Sequence, residues 1–503
     1  MLYFDVYRNG TAAGSIDLAG AYAFGQDEIP MRSELTFSDG RLACNKRTPG
    51  PAGVALLWEA PDMGRLLLPT TRLSEQDKPY NLNIELARAQ MMRIAQKRED
   101  WGLFDYPSAE PLMKEFDEAR VGLVDALRCT DPAEASVLAD AALAKGLLLG
   151  EKIALVHADV FISRRLTAGA GPRGGFGCSV DPGSATGPYQ GLLRDSFDYI
   201  SVPMSWKRME PKERSYDYEP LDAWMMWATR NRKMVHAGPL LCLCPGLVPD
   251  WLFLWENDYP TLKDVIYEHI QQTVKRYERQ VHVWKVASGL HAFNPFNLNF
   301  EQIMELTRMS CLLVKKLVPS AQVVIVLVMP FSEYYARNVR TVPPMLYADM
   351  AVQSGVKFDA FAVQLCMGVP SDGLFVRDLL QISSMLDGFL PLGKPLHISG
   401  CQVPSDVSDD GTDHWEGKLP VYQAGHWQAP WSQELQARWL ASFNRIALSK
   451  PFVESTCWRD LADGPGHYVP HGGLCQADLS PKLAYDELRN FRSQFIGASK
   501  PNR

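Results

Sequence analysis

The chain of 503 residues has a formal net charge of −7, with 51 Lys and Arg against 58 Asp and Glu. Because no basic surplus is present to neutralise phosphates, this balance argues against nucleic-acid binding. The hydrophobic share of 46% and the charged share of 22% are typical of a globular protein. No apolar run approaches the roughly 18 residues that a membrane span needs, so we expect neither nucleic-acid nor membrane partners.

The amino terminus and the cysteines bear on the cellular compartment. The first ten residues, MLYFDVYRNG, lack the basic stretch and apolar run of a signal peptide. The ten cysteines include Cys242 and Cys244 in a C-x-C pattern, but no paired C-x-x-C of a zinc site. We therefore predict a cytoplasmic protein with free buried thiols, no metal and no cofactor. A leader lost upstream is the alternative.

Residues 1–80 form the first predicted unit, a β-rich domain. Short apolar runs alternate there with turns rich in Gly, Pro and Asp, as in Leu2–Phe4, Val54–Trp58 and Arg65–Leu68. This pattern predicts a small antiparallel β-sandwich. A carbohydrate-binding module is one interpretation of such a domain.

Residues 81–166 form a helical segment. Apolar residues recur at helical spacing from Leu82 to Ile94, and again over a longer stretch from Leu138 to Phe161. We expect both helical stretches to pack against the domain that follows or to link to it. A protein partner that docks on this helical segment is the alternative.

The Gly/Pro/Ala-rich residues 167–175 predict a linker, and residues 176–497 predict a barrel. In this last part apolar strands alternate with amphipathic helices, which is the pattern of βαβ units with a parallel sheet. Eight strands are predicted: Gly175–Val180, Tyr199–Pro203, Met234–Leu241, Val281–Ala287, Gln322–Val328, Phe358–Leu365, Pro395–Ser399 and Val453–Trp458. The predicted fold class is therefore α/β, a (β/α)8 TIM barrel preceded by a β-sandwich-like segment and a helical segment.

Short motifs follow one another through the predicted barrel. They are Phe197–Pro211, Tyr216–Asp222, Pro249–Leu252, Trp284–Gly289, Phe358–Gln364, His397–Cys401 and Trp458–Tyr485. In this order, over about 300 residues, they resemble the strand ends and loops of family 10 glycoside hydrolases, the xylanase family. The resemblance implies a barrel that acts on or binds a polysaccharide or oligosaccharide.

The two catalytic positions of that family are altered in this chain. In the family the fourth and seventh strands end W-D-V-V-N-E and H-I-T-E, and each Glu is one of the catalytic pair. The resemblance places Gly289 and Gly400 at those two positions. Retaining hydrolysis needs two carboxyl groups about 5–5.5 Å apart, and glycine has no titratable group. We therefore expect standard xylanase activity to be absent, as in a pseudoenzyme.

Other residues that hold the sugar in the family also differ here. The family's E-N-x-M-K corresponds to Ser201–Ser205, the His and Trp of its third strand to Pro239–Cys244, and its Ser-His after strand six to Leu365–Cys366. The candidate ligand-binding residues that remain are Trp206, Gln364, His397 and Trp458. Packing in the barrel interior is the alternative for each of them.

The loop after the seventh strand combines carboxylates with aromatic rings, which sugar recognition and hydrolysis both use. Substitutes for the missing acids would come from Asp413, Glu416, Asp460 and Asp463, and Trp415 and Trp427 are further ligand-binding candidates. A solvated acidic loop is the alternative.

Six thiols lie near strand ends: Cys178, Cys242, Cys244, Cys366, Cys401 and Cys457. Thiolates can hold a soft metal, but this spacing matches no metal pattern and favours packing.

Three functions stay open at this point. The first is a divergent glycoside hydrolase with relocated acids, and the second is an inactive relative that binds a glycan. The third is a structural scaffold that uses the helical segment as an interaction surface. Fold alone does not choose among them, because function depends on the site.

Overall fold

The computed structural model describes residues 1–169, 174–338 and 340–498, with backbone only for 496–498. Residues 170–173 of the predicted linker lie outside the described residues. The strands are β1 (Leu2–Asp5), β2 (Tyr7–Arg8), β3 (Thr11–Ala12), β4 (Tyr22–Phe24), β5 (Pro30–Met31), β6 (Ser33–Ser38), β7 (Arg41–Lys46), β8 (Gly53–Ala60), β9 (Gly64–Pro69), β10 (Tyr80–Asn81), β11 (Gly175–Ser179), β12 (Tyr199–Val202), β13 (Met234–Ala237), β14 (Val283–Ser288), β15 (Gln322–Leu327), β16 (Ala360–Cys366), β17 (Leu396–Gln402), β18 (His426–Trp427) and β19 (Val453–Trp458).

The helices are α1 (Leu82–Asp100), α2 (Glu110–Arg128), α3 (Pro132–Thr167), α4 (Gly187–Ser196), α5 (Trp206–Met209), α6 (Glu219–Arg230), α7 (Tyr259–Tyr277), α8 (Phe300–Leu317), α9 (Tyr334–Arg337), α10 (Pro344–Gln353), α11 (Leu379–Asp387), α12 (Gln433–Ser449) and α13 (Leu483–Ala498). None of the helices in the described ranges is long and apolar enough to cross a bilayer.

Eight parallel strands close into a barrel in the order β11-β12-β13-β14-β15-β16-β17-β19. Strand β11 pairs with β12 on one side and with β19 on the other, which closes the ring. A helix follows each barrel strand along the chain, and these helices surround the ring. The predicted TIM barrel is therefore confirmed.

Strand β15 of the barrel is apolar on both faces from Val323 to Leu327. In β15 the side chains of Val324 and Val326 belong to an interior cluster, while Val323 and Ile325 join the large core beneath the helices. Alternate side chains of a strand point to opposite faces, and both faces of this sheet are covered. This explains why the strand reads as a continuous β-branched run rather than as an alternating one.

The amino-terminal residues pair β2 with β3 and form two larger sheets, which confirms a β-rich segment before the barrel. One has the strand order β10-β1-β7-β6, and the other has the order β18-β9-β8-β4-β5. Strand β18 comes from the loop after the seventh barrel strand, and it pairs with β9 through His426 opposite Arg65 and Trp427 opposite Gly64. The barrel thus contributes the edge strand of an amino-terminal sheet.

The helical segment consists of α1, α2 and the 36-residue α3. Helix α3 packs against α1 and α2 and also against α11 and α12 of the barrel. Its buried Glu151 accepts hydrogen bonds from Trp427 Nε1 at 2.7 Å and from the Leu379 backbone N–H at 3.1 Å. Burial raises the pKa of this carboxyl to about 7. One side chain therefore links the helical segment, the β18 strand and the barrel.

Candidate functional site at the barrel mouth

The fourth barrel strand ends at Ser288, and Gly289 follows it with a φ of +63°. A Cβ atom at this position would lie 2.9 Å from Cδ2 of Phe293 and 3.1 Å from Cγ2 of Val328. The left-handed backbone conformation favours glycine on its own account. Backbone conformation and packing therefore both oppose a larger side chain here.

Gly289 is surrounded by the apolar side chains of Phe293 and Val328 and by two buried side chains, His291 and Tyr334, whose polar atoms contact each other. The His291 ring accepts a hydrogen bond from the Val328 N–H at Nε2, at 3.2 Å, and its Nδ1 lies 2.6 Å from the Tyr334 hydroxyl. Burial lowers the pKa of His291 to about 3, so the ring is neutral near pH 7. We call Gly289, His291, Phe293, Val328 and Tyr334 the apolar wall of the mouth.

Gly400 of the seventh strand has different surroundings. A Cβ atom there would meet only Cγ of Gln364, at 3.8 Å, which is an ordinary van der Waals distance. Gln364 is half-buried on the neighbouring strand β16. The structure therefore leaves room for a side chain at Gly400.

A second group of polar residues follows the eighth strand. Asp460 accepts hydrogen bonds at Oδ2 from Gln402 Nε2, at 2.9 Å, and from the Tyr468 N–H, at 2.8 Å. The guanidinium of Arg459 lies 3.9 Å from the centre of the Tyr468 ring. We call Gln402, Arg459, Asp460 and Tyr468 the polar wall of the mouth.

A lysine lies inside the barrel between these walls and the base. Lys285 of β14 is buried, and its Nζ donates to Ser201 Oγ of β12 at 2.8 Å. Burial lowers the pKa of this lysine to about 8. The sequence analysis singled out neither Lys285 nor Arg459. Both could have been recognised as charged residues in an apolar context, since Lys285 lies within β14 and Arg459 directly follows β19.

Residues 166–298 match the model of glycosyl hydrolase family 10. The matched residues run from the end of α3 through the fourth barrel strand. A β-1,4-xylanase of Dictyoglomus thermophilum is 27% identical over 109 residues, which are 21% of this chain and 30% of the relative. Endo-1,4-beta-xylanase B of Thermotoga neapolitana is 22% identical over 102 residues, 20% of this chain and 29% of the relative. The match thus spans about 30% of the length of these relatives.

Solved structures of family 10 enzymes are similar to this chain. Native xylanase 10B from Thermotoga maritima has a TM-score of 0.49 and 16% identity, covering 66% of this chain and 98% of the other. Xylanase 10B from Thermotoga petrophila RKU-1, solved with xylobiose, has a TM-score of 0.47 and 17% identity. That match covers 67% of this chain and 97% of the other.

Two tryptophans that the family 10 resemblance suggested as ligand contacts are internal. Trp206 is buried, donates from Nε1 to Glu210 Oε2 at 2.7 Å, and stacks on His269 with ring centres 4.1 Å apart. Trp458 is buried and donates to the carbonyl of Gly472 at 2.9 Å. Both indole N–H groups are therefore already satisfied within the protein.

His397 lies at the base of the barrel, away from the mouth. It is the second residue of β17, its Nδ1 lies 2.7 Å from Ser455 Oγ, and its Nε2 lies 3.1 Å from Gln322 Oε1. Gln322 is the first residue of β15. The amino-terminal ends of the strands form the face opposite the one where TIM-barrel active sites occur. Of the four suggested survivors, Gln364 is the one that remains half-buried at the mouth.

The two candidate tryptophans of the loop after the seventh strand lie in different parts of the molecule. Trp415 is half-buried and donates from Nε1 to the Tyr468 carbonyl at 2.9 Å, so it lies beside the polar wall. Trp427 is buried, because its strand pairs with β9 and its indole N–H is held by Glu151. The backbone pairing thus removes Trp427 from the mouth.

The candidate acids are engaged separately. Asp413 is buried and accepts the Trp415 N–H at 2.7 Å, which closes a turn. Glu416 is exposed and pairs with Lys418. Asp463 pairs with Lys482 at 2.6 Å. Among these candidates, Asp460 lies nearest to a barrel strand, two residues after the end of β19 at Trp458.

The cysteines near the strand ends are free thiols. Burial raises the pKa of Cys457 to about 11 and that of Cys366 to about 12, so both stay protonated near pH 7. Over residues 1–169, 174–338 and 340–498, no three His, Cys, Asp or Glu side chains are grouped so as to hold a metal ion. These thiols pack as small apolar side chains.

Proposed function

We propose that this chain binds an oligosaccharide at the barrel mouth and does not carry out double-displacement glycoside hydrolysis. The observation that carries the proposal is the apolar wall around Gly289. Gly289 has a φ of +63°, and a Cβ atom added to it would lie only 2.9 Å from Cδ2 of Phe293. Both observations disfavour a carboxylate side chain at the end of the fourth strand. A covalent glycosyl-enzyme needs a nucleophilic carboxylate and a second carboxyl group as acid and base.

The polar wall supports ligand binding at the same mouth. Arg459, Asp460 and Tyr468 lie where barrel enzymes place their functional groups, at the carboxyl ends of strands. Half-buried Trp415 adds an aromatic face beside them. Aromatic rings next to hydrogen-bonding groups are a common means of recognising sugars.

The names of the curated relatives suggest the first ligand to test. Both are xylanases, so β-1,4-linked xylose chains are the proposed class. Calorimetry with xylotetraose would measure binding, and release of nitrophenol from an aryl xyloside would measure turnover. We expect binding without turnover in the wild-type protein and in Asp460→Asn.

Two results would overturn this proposal. Turnover that disappears in Asp460→Asn, with the fold intact by circular dichroism, would identify a relocated acid and hence a working hydrolase. Absence of binding to every neutral and acidic oligosaccharide tried would favour a scaffold. The exposed Glu416 supplies the matched control, since Glu416→Gln removes a loop carboxylate that is paired only with Lys418.

A scaffold is the second candidate function, supported by the surface of the helical segment. Exposed apolar side chains lie on α2 and α3, namely Val121, Leu127, Val137 and Leu148. Sedimentation over a range of concentrations would test whether this surface mediates self-association. The double variant Leu127→Ser and Val137→Ser should then shift the equilibrium towards monomer, and an unchanged profile would contradict the idea.

A further inference from the structure

The polar wall contains a cation without a counter-ion. Arg459 is half-buried, and its guanidinium lies against the Tyr468 ring at 3.9 Å. Within the part of the chain that the structure describes, the Arg459 side chain makes no hydrogen bond and no ion pair. Arginine is rarely withdrawn from water without a paired anion, so this position favours an anionic partner.

The neighbouring carboxylate does not serve as that partner. Asp460 follows Arg459 directly, but its Oδ2 is held by Gln402 Nε2 at 2.9 Å and by the Tyr468 N–H at 2.8 Å. These two donors orient the carboxylate towards the protein, and no ion pair with Arg459 forms. The guanidinium therefore keeps its donors available.

A second cation lies deeper in the same barrel. Lys285 is buried, donates to Ser201 Oγ, and has no ion-pair partner among the described residues. Burial lowers the pKa of Lys285, and the nearby charge of Arg459 lowers it further, so the two cations repel each other. Because this region is largely withdrawn from water, the positive charge of Arg459 is weakly screened and attracts an anion.

We propose that Arg459 binds the carboxylate of a uronic-acid residue in an oligosaccharide at the barrel mouth. The inference rests on the proposed function and names its substrate class more narrowly. A guanidinium presents a planar fork of donors that matches a carboxylate in a bidentate arrangement. The Tyr468 ring fixes the guanidinium, and the half-buried Trp415 lies with its ring centre 5.8 Å from that of Tyr468, so an aromatic side chain adjoins the cation.

The test compares an oligosaccharide bearing one glucuronic acid with its carboxyl-reduced counterpart, by calorimetry at low salt. The wild-type protein should bind the acidic form about tenfold more tightly, as expected for a hydrogen bond between charged groups. Arg459→Gln should remove this preference and keep the affinity for the reduced form. Arg459→Lys should retain a smaller preference, because ammonium keeps the charge and loses the fork.

The control variant is Arg230→Gln, which removes an exposed arginine at the last residue of helix α6, at the opposite end of the barrel. It should leave both affinities unchanged. Thermal unfolding of each variant checks the fold, and if Arg459→Gln is unfolded, the comparison of Arg459→Lys with the wild type decides.

The outcomes separate this inference from the proposed function. Equal wild-type affinity for the acidic and the reduced form, or a preference that survives Arg459→Gln, overturns the inference and leaves oligosaccharide binding in place. Absence of binding to either form overturns both. Inorganic phosphate bound as tightly as the acidic oligosaccharide would show a general anion site and would overturn the uronic-acid assignment.

Discussion

The apolar and polar walls face each other across one barrel mouth, but the glycine at the strand end is closely packed on one side and has free space on the other. At the apolar wall, Gly289 has a left-handed backbone and Phe293 and Val328 close against it. On the other side, an added Cβ atom at Gly400 would meet only Gln364, at 3.8 Å, and no acidic side chain among the described residues pairs with Arg459 after the adjacent strand β19. Backbone conformation and packing thus favour glycine at one strand end, whereas neither does so at the other.

The largest expected effect is that of Gly289→Glu. We expect it to lower the free energy of unfolding by about 3 kcal/mol, since it combines backbone strain with displacement of Phe293 and Val328. Urea denaturation would measure the loss, with Gly289→Ala as the control that isolates backbone and Cβ strain. A loss below about 1 kcal/mol would mean that Phe293 and Val328 move aside at little cost. That result would contradict the difference proposed between the two walls.

The apolar wall also predicts acid sensitivity through His291. Burial lowers the pKa of His291 to about 3 in the folded protein. Below about pH 6.5 the imidazole is therefore protonated in the unfolded chain but stays neutral in the folded protein. The contribution of His291 to the free energy of unfolding is therefore fully present above pH 6.5. It is lost as the pH falls, by about 2 kcal/mol at pH 5. Denaturation midpoints between pH 5 and 8 should show a smaller slope in His291→Gln, and an unchanged slope would contradict this role.

Behind the polar wall, His467 predicts the opposite sign. Burial lowers the pKa of His467, but the carboxylates of Asp463 and Asp410 outweigh it and hold the pKa above its usual value. Its contribution is therefore present below about pH 6.5 and is lost as the pH rises through the raised pKa. The effect should be smaller than that of His291, because burial and the ion pairs oppose each other. His467→Gln should remove it, while Asp409→Asn serves as an exposed control.

The smallest expected effect is that of Gly400→Ala. Because nothing approaches closer than 3.8 Å, we expect the free energy of unfolding to change by less than about 1 kcal/mol in either direction. The same denaturation assay applies, with Gly289→Ala measured alongside. Equal losses in the two variants would show that both strand ends need glycine.

The barrel could be predicted because its signal is local. Buried β-branched runs and intervening helices repeat along the chain, and each run needs only its own residues to be recognised. The boundaries were less accurate where backbone chemistry intervened. The third strand was predicted to reach Leu241, whereas it ends at Ala237, just before Gly238 and Pro239. Proline has no N–H for the ladder, which explains the early end.

The fates of single side chains at the mouth could not be predicted in the same way. Trp427 donates to Glu151, which lies 276 residues earlier, and His397 faces Gln322, 75 residues earlier. Periodicity carries no information about such partners. The sequence did not single out Arg459 for the same reason. Whether an arginine has an ion-pair partner depends on carboxylates from distant parts of the chain.

The sequence by itself predicted the fold class, and it places glycine, which has no titratable group, at positions 289 and 400. Both follow from residue identity and short-range pattern, which the chain carries along its own length. Only the tertiary structure decided that Gly289 is enclosed, that Gly400 has room, and that no acidic side chain among the described residues pairs with Arg459 at the mouth. Free space and charge pairing are properties of residues brought together from distant parts of the chain, so they appear only once the barrel has closed.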